Sequence, residues 1–152
     1  MTRVAVPIQL RWGDLDAYGH VNNATMLRLL EEARVRAFWS RGGEGTPDTA
    51  VIEADPDAAS WTLIARQEIE YLAPMPYTSE PVVVEMWLTK IGGSSIEVGY
   101  EILSPDRSQL HARAATVIVF VDRASQRPRR VAERERAAWE PYLGEPVAFR
   151  RG

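Results

Sequence analysis

The chain between residues 14 and 23 reads Asp14-Leu15-Asp16-Ala17-Tyr18-Gly19-His20-Val21-Asn22-Asn23. Two acids, a glycine, a histidine and two asparagines therefore stand immediately before a segment with helical periodicity, which is more functional-group density than a structural loop needs. A helix N-terminus presents unpaired backbone N–H groups and the positive end of the helix dipole, so it can stabilise an oxyanion. A nearby carboxylate such as that of Asp16 can act as a general base or as a nucleophile.

The segment that follows predicts an amphipathic helix from Asn22 or Asn23 to about Arg41. Its apolar positions recur at helical spacing, and they include Met26, Leu30, Ala33 and Ala37. An asparagine can cap the start of this helix, and Gly42-Gly43 is typical of a helix end. One of the two asparagines is therefore expected to be the cap.

Strands are predicted on both sides of this helix. The predicted strands lie within residues 4–12, 50–53, 61–71, 82–91, 95–103 and 112–121. Short turns such as Gly92-Gly93-Ser94 join the last three strands, which favours an antiparallel meander. A short helix over residues 131–139 and a loose tail are expected beyond residue 122. The pattern indicates an α+β domain in which one helix packs against a whole sheet.

The composition excludes several classes of function. With 152 residues the chain is expected to form a single domain over residues 1–152, with a core of about 4–122 and a C-terminal extension of 123–152. A net charge of −3 gives no overall reason to bind nucleic acid or a membrane surface. The absence of cysteine and the presence of two histidines exclude thiolate catalysis, disulfides and a histidine-rich metal centre. The first residues lack the apolar core of a signal peptide, so a cytoplasmic location is expected.

Residues 11–23, Arg11-Trp12-Gly13 followed by the segment quoted first, resemble the hotdog-fold thioesterases of the 4-hydroxybenzoyl-CoA thioesterase superfamily, in particular the acyl-CoA thioesterase branch. Asp-Leu-Asp and His-Val-Asn-Asn also resemble plant acyl-carrier-protein thioesterases. The resemblance continues in Glu68-Ile69-Glu70-Tyr71-Leu72-Ala73-Pro74 and covers roughly residues 5–122. It implies a hotdog fold, in which a curved antiparallel β-sheet wraps around one long central helix. It also implies hydrolysis of an acyl thioester, with coenzyme A as part of the substrate and no cofactor or metal.

The resemblance also implies roles for individual residues. Asp16 matches the catalytic acid, and His20 matches a histidine that is catalytic in some branches. Asn23, at the start of the helix, is the third catalytic candidate, because the asparagine that is not the cap can orient water or the thioester carbonyl. The backbone of residues 21–23 is expected to form the oxyanion hole, so Val21 and Asn22 are candidates for substrate binding, together with Tyr18. Gly92 and Ser94 are expected along the pantetheine arm. The family places this site at the interface of a homodimer, or of a homotetramer made from such dimers.

Several alternatives stay open at this stage. Asp14 is better explained as a turn acid that accepts backbone N–H groups than as a catalytic residue. His20 has a structural alternative, in which it is hydrogen-bonded to the loop. A calcium loop is excluded because the position that requires glutamate is Thr25. A non-catalytic protein that binds acyl thioesters and a thioesterase specific for acyl-carrier protein are the competing functions.

Overall fold

A computed structural model of the protein describes residues 2–40, 44–53 and 55–150. Over these residues the strands are β1 (Val4–Ile8), β2 (Trp39–Ser40), β3 (Ile52–Glu53), β4 (Ser60–Tyr71), β5 (Val82–Ile91), β6 (Ser95–Leu103) and β7 (Leu110–Asp122). The α-helices are α1 (Asn23–Phe38) and α2 (Glu133–Trp139), and short 3-10 turns cover Trp12–Asp14 and Glu140–Tyr142. The predicted limits of β5 and β6 are confirmed, and β7 extends beyond its predicted limits.

The main sheet has five strands in the order β1-β5-β6-β7-β4, and every neighbouring pair is antiparallel. The predicted meander β5-β6-β7 is confirmed. The register shifts between Ile64 and Arg66 in β4 and between Leu88 and Lys90 in β5. Such irregularities bend strands and increase their twist, which suits a sheet that curves around a helix. The last strand in this order, β4, is an edge strand.

Helix α1 lies against the inner face of this sheet. Its buried side chains are Met26, Leu29, Leu30, Ala33, Arg34, Ala37 and Phe38. Asn22 is the cap, because its Oδ1 accepts the N–H groups of Ala24 at 2.9 Å and Thr25 at 3.4 Å. The helix ends at Phe38, before the predicted end, because Trp39 takes an extended conformation and enters β2. The predicted stop at Gly42-Gly43 lies outside the described residues.

The prediction of a core that ends near residue 122 is wrong. Trp139 is completely buried, its ring stacks on Phe120 with 5.7 Å between the ring centroids, and its indole N–H donates to the Thr49 carbonyl at 2.9 Å. The nearby Glu135 carboxylate is also buried and accepts two hydrogen bonds from Arg129, at 2.6 and 2.9 Å. Arg129, in the basic segment Arg127-Pro128-Arg129-Arg130, therefore forms a structural ion pair.

The predicted loose tail is also wrong, because residues 143–150 are fastened across the outer face of the sheet. We call these residues the C-terminal strap. The Gly144 N–H donates to the Leu88 carbonyl at 2.8 Å, and the Trp87 indole donates to the Glu145 carbonyl at 2.8 Å. Arg113 donates to the carbonyl of Ala148, and the Arg150 N–H donates to Glu70 Oε2 at 2.8 Å. The strap thus crosses from β5 to the edge strand β4.

Candidate active site

The loop before α1 is held together by Asp14. This side chain is 3% exposed, and its Oδ2 accepts the Arg11 N–H at 2.8 Å. The carbonyl of the same residue accepts the Asn22 N–H at 2.9 Å, which ties the start of the loop to the start of the helix. Asp14 therefore has the structural role that its sequence context predicts.

Asp16 lies half-buried at the centre of this loop. Its Oδ1 accepts the N–H groups of Tyr18 at 2.8 Å and His20 at 3.2 Å, and its own N–H donates to the His20 carbonyl at 2.7 Å. The tight path needs Gly19, whose φ of +77° is rarely adopted by residues with a side chain. Within the described residues Oδ2 accepts no hydrogen bond. The carboxylate is thus oriented through one oxygen and leaves the other for chemistry.

The start of α1 offers fewer oxyanion donors than the sequence predicts. The Val21 N–H already donates to the Met75 carbonyl at 2.8 Å, and the Asn22 N–H is taken by Asp14. The N–H groups of the next residues, 24 and 25, are occupied by the Asn22 side chain. The backbone N–H of Asn23 has no acceptor in the described part of the chain. The expected oxyanion hole over residues 21–23 is therefore corrected to one backbone donor, because the other two are spent on fixing the loop.

Asp16 and Asn23 face the same open cleft, which has a volume of about 420 Å³. The cleft is lined by Asp16, His20, Val21, Asn22, Asn23, Met26, Tyr71, Leu72, Ala73 and Pro74. A bridge between His20 and Pro76 holds the loop against the segment after β4. The structure therefore gathers five of the predicted site residues around one space.

Tyr71 is a cleft residue that the sequence analysis did not select. Its hydroxyl donates to the Asn23 carbonyl at 2.8 Å, so it fixes the peptide next to the free N–H. Burial raises the pKa of Tyr71, which keeps the hydroxyl protonated as a donor. In the sequence, the signal that could have identified Tyr71 as a cleft residue is its position at the end of a predicted strand, shortly before Pro74.

The remaining predicted residues have different positions. The ring of His20 lines the cleft and makes no hydrogen bond within the described residues, so it is available to a ligand. Tyr18 contributes its backbone N–H to Asp16, and its ring is 85% exposed. Gly92 and Ser94 lie at the opposite end of the sheet, because β5 begins beside Ile8, near the loop, and runs ten residues away from it. Within one chain, these two residues therefore lie roughly 30 Å from Asp16.

Two further features concern the described residues, 2–40, 44–53 and 55–150. No group of three or more His, Asp or Glu side chains among them could hold a metal ion. No helix among them is long and apolar enough to cross a membrane.

Comparisons with known proteins identify the family and the fold of this chain. The family model described as the thioesterase-like superfamily matches residues 10–144, whereas no curated protein matches the chain. A proposed acyl-CoA thioesterase from Xanthomonas campestris is 32% identical, with a TM-score of 0.66, and the match covers 84% of this chain and 98% of the other. A proposed thioesterase from Pseudomonas aeruginosa is 29% identical, with a TM-score of 0.71 and coverages of 90% and 95%. A Thermus thermophilus thioesterase solved with coenzyme A and zinc is 27% identical, with a TM-score of 0.69 and coverages of 93% and 95%. The chain therefore belongs to the thioesterase-like superfamily and has its hotdog fold.

Proposed function

We propose that this protein is an acyl-CoA thioesterase, which hydrolyses an acyl thioester to a free acid and a thiol. The proposal rests on two groups that line one cleft. The Asp16 carboxylate accepts hydrogen bonds through Oδ1 only, and the Asn23 N–H has no acceptor among the described residues. Acyl transfer requires a base or nucleophile on one side of the carbonyl carbon and a donor for the carbonyl oxygen. Coenzyme A as the thiol is supported by the bound coenzyme A of the Thermus thermophilus relative.

In the proposed reaction the thioester oxygen accepts the Asn23 N–H at the positive end of the α1 dipole. Asp16 Oδ2 takes a proton from water, and the water oxygen attacks the carbonyl carbon. The C–S bond then breaks, the thiolate leaves and takes up a proton, and the acid is released. Alternatively, Oδ2 attacks the carbonyl carbon itself, the C–S bond breaks and the thiolate leaves and takes up a proton, which gives a mixed anhydride. Water then hydrolyses the anhydride to the free acid and the regenerated Asp16 carboxylate. His20 lies beside either route and can donate to the leaving sulfur.

Replacing the carboxylate tests this proposal. The Asp16→Asn variant keeps an oxygen for the backbone N–H groups but loses the base, and removal of one stabilising group in such sites costs about 100- to 1,000-fold in kcat. Thiol release from a panel of acyl-CoAs and acyl-carrier proteins is expected to fall at least that far, with the melting temperature unchanged. Asp57→Asn, in an exposed loop, is the matched control. Equal rates for Asp16→Asn and the wild type would refute the assignment, and hydrolysis restricted to acyl-carrier proteins would reassign the substrate.

We also propose that the protein acts as a homodimer, or as a homotetramer built from such dimers, joined through the edge strand β4. Its apolar side chains are unusually exposed in one chain: Trp61 at 42%, Leu63 at 53%, Ile64 at 41% and Tyr71 at 46%. An unpaired edge that bears large apolar residues is a template for pairing with another strand. If two copies of β4 pair antiparallel, the Tyr71 end of one lies beside the Ser60 end of the other. The partner's Gly92 and Ser94 then approach the cleft from the other sheet.

Sedimentation velocity tests this assembly. The wild type is expected to sediment as a dimer or tetramer, and Leu63→Lys is expected to weaken it because a charge replaces an apolar side chain at the interface. Tyr77→Lys, which changes a residue that is 40% exposed outside β4, is expected to leave the assembly intact. A wild type that stays monomeric while fully active would contradict the proposed interface.

A further inference from the structure

A buried arginine lies on the inner face of the central helix. Arg34 is 4% exposed, and one nitrogen of its guanidinium donates to the Tyr100 hydroxyl at 3.3 Å. Another nitrogen lies 4.0 Å from the carboxylate of Glu31, whose side chain is 69% exposed. A distance at the limit of an ion pair, to a flexible and hydrated partner, stabilises a charge weakly. Arg34 is therefore a buried cation whose charge is only weakly balanced by a neighbouring anion.

Arg34 is part of a connected set of polar side chains, which we call the inner polar cluster. Tyr100 is completely buried, and its hydroxyl also shares a hydrogen bond with Thr116. The Thr116 hydroxyl donates to Gln67 Oε1 at 3.4 Å. Burial raises the pKa of Tyr100, so its hydroxyl stays protonated and supplies no charge to Arg34. The cluster thus leads from the helix to β4 without containing a buried anion.

The guanidinium of Arg34 has more donors than the described residues use. A guanidinium has several N–H donors in a planar fork suited to a carboxylate. The Arg34 side chain is 5% exposed, so its guanidinium is not completely enclosed.

The inner face of β4 extends from the active-site cleft to this cluster. Alternate residues of β4 point to the same face, and Tyr71, Ile69 and Gln67 are paired with Ala112, Ala114 and Thr116 of the buried face of β7. Tyr71 lines the cleft, Ile69 is apolar, and Gln67 belongs to the cluster. The stretch from Tyr71 to Gln67 spans four residues, or about 13 Å. An apolar track of this length, ending on polar groups and a cation, matches an extended chain with an anionic end.

We infer that the site selects thioesters of medium-chain acyl groups that carry a carboxylate at the far end, with Arg34 and the inner polar cluster as the group that recognises it. The inference rests on the proposed acyl-CoA thioesterase function and names its substrate class. The acyl chain lies along the inner face of β4, and its carboxylate displaces the exposed Glu31 side chain from Arg34.

Two substrates of equal chain length test this selectivity. Decanoyl-CoA and the mono-thioester of sebacic acid with coenzyme A differ only in the terminal carboxylate. A hydrogen-bonded charge typically changes an equilibrium by about 10- to 100-fold, so kcat/KM of the wild type is expected to favour sebacoyl-CoA by this factor. Arg34→Met is expected to abolish the preference, measured as the ratio of the kcat/KM values for the two substrates. Arg28→Met, on the exposed side of the same helix, is the matched control and is expected to keep the preference.

The outcomes separate this inference from the proposed function. Equal kcat/KM of the wild type for the two substrates, or a preference that survives Arg34→Met, would overturn the role of the inner polar cluster while hydrolysis itself stands. If neither substrate releases thiol, the proposed function fails, and calorimetry with the two non-hydrolysable thioether analogues tests the preference as a ratio of Kd values. If Arg34→Met does not fold, Tyr100→Phe, which removes only a hydroxyl, is expected to reduce the preference. Glu31→Gln is expected to increase it, because the competing carboxylate is removed.

Discussion

At the scale of single residues, the candidate site depends on which hydrogen-bonding groups are already used. The loop uses the N–H groups of Val21 and Asn22 for its own structure, and it leaves that of Asn23 and one oxygen of Asp16. Tyr71 then holds the Asn23 carbonyl at 2.8 Å. Because a carbonyl and the N–H of the same residue are joined by two rotatable bonds, fixing one restricts the other. In the proposed reaction, Tyr71 is therefore a positioning residue for the Asn23 N–H.

The Tyr71→Phe variant tests this role. It keeps the ring and removes one neutral hydrogen bond, which is worth about 0.5–1.5 kcal/mol. We expect kcat for thiol release to fall by about 2- to 10-fold, with KM nearly unchanged, because the donor acts mainly on the charge that develops in the transition state. Tyr77→Phe, an exposed tyrosine outside the cleft, is the control. A raised KM with an unchanged kcat would instead indicate that Tyr71 only contacts the substrate.

At the scale of elements, the C-terminal strap packs closely against β6 at Gly99, which has no side chain. A Cβ at Gly99 would lie 2.8 Å from the Trp87 ring and 2.9 Å from Val147. The strap and the tryptophan therefore occupy the space that any other residue would need.

Gly99→Ala is expected to lower the free energy of unfolding by about 1–3 kcal/mol, the usual cost of overpacking, and to loosen the strap. Denaturant unfolding measures the first effect, and limited proteolysis near residue 150 measures the second. Gly93→Ala is the matched control, because a Cβ there meets nothing within 4 Å. Unchanged stability and unchanged cleavage in Gly99→Ala would show that the strap can move aside at no cost.

At the scale of the whole molecule, an ion pair fastens the C-terminal extension to the sheet. Glu135 is 1% exposed and is bound by Arg129, whose guanidinium lies 4.5 Å from the centre of the Phe120 ring. Burial alone would raise the pKa of Glu135, but the hydrogen bonds from Arg129 and the Ala132 N–H, with the charge of Arg129, outweigh it and hold the pKa below its usual value of 4.5. Since the folded-state pKa is depressed, the stabilisation is complete above the usual value. It is lost as the pH falls through the folded-state pKa.

We expect the free energy of unfolding of the wild type to decrease in acid below a pH of about 4.5. Glu135→Gln is expected to be less stable at neutral pH by about 3 kcal/mol, because it leaves Arg129 without its charge partner, and to show a weaker acid dependence. Glu133→Gln, on the exposed side of α2, is the control. Urea unfolding from pH 3 to pH 7 measures both effects, and parallel pH profiles for Glu135→Gln and the wild type would contradict this assignment.

The sequence predicts local features well and distant contacts poorly. The limits of β5 and β6 follow from the turn residues Gly92 and Gly93. The sequence also restricts the helix cap to Asn22 or Asn23, and the structure identifies it as Asn22. The strand β3 lies within the predicted strand of residues 50–53, whereas β2 has two residues, which is too short for any periodicity to be visible. The Val21 N–H is not available to a ligand because it donates to the carbonyl of Met75, which is distant in sequence. No local pattern could reveal that contact.

The burial of Trp139 also sets an order of events during protein synthesis. By residue 122 all five strands of the main sheet have been made, but the ring that packs on Phe120 and donates to Thr49 is still missing. A nascent chain at that stage has its sheet and central helix, but the interior space that the Trp139 ring fills is still empty. Exposed apolar surface makes such incomplete chains prone to aggregate. Folding of this domain can therefore be completed only after its last helix and strap have left the ribosome.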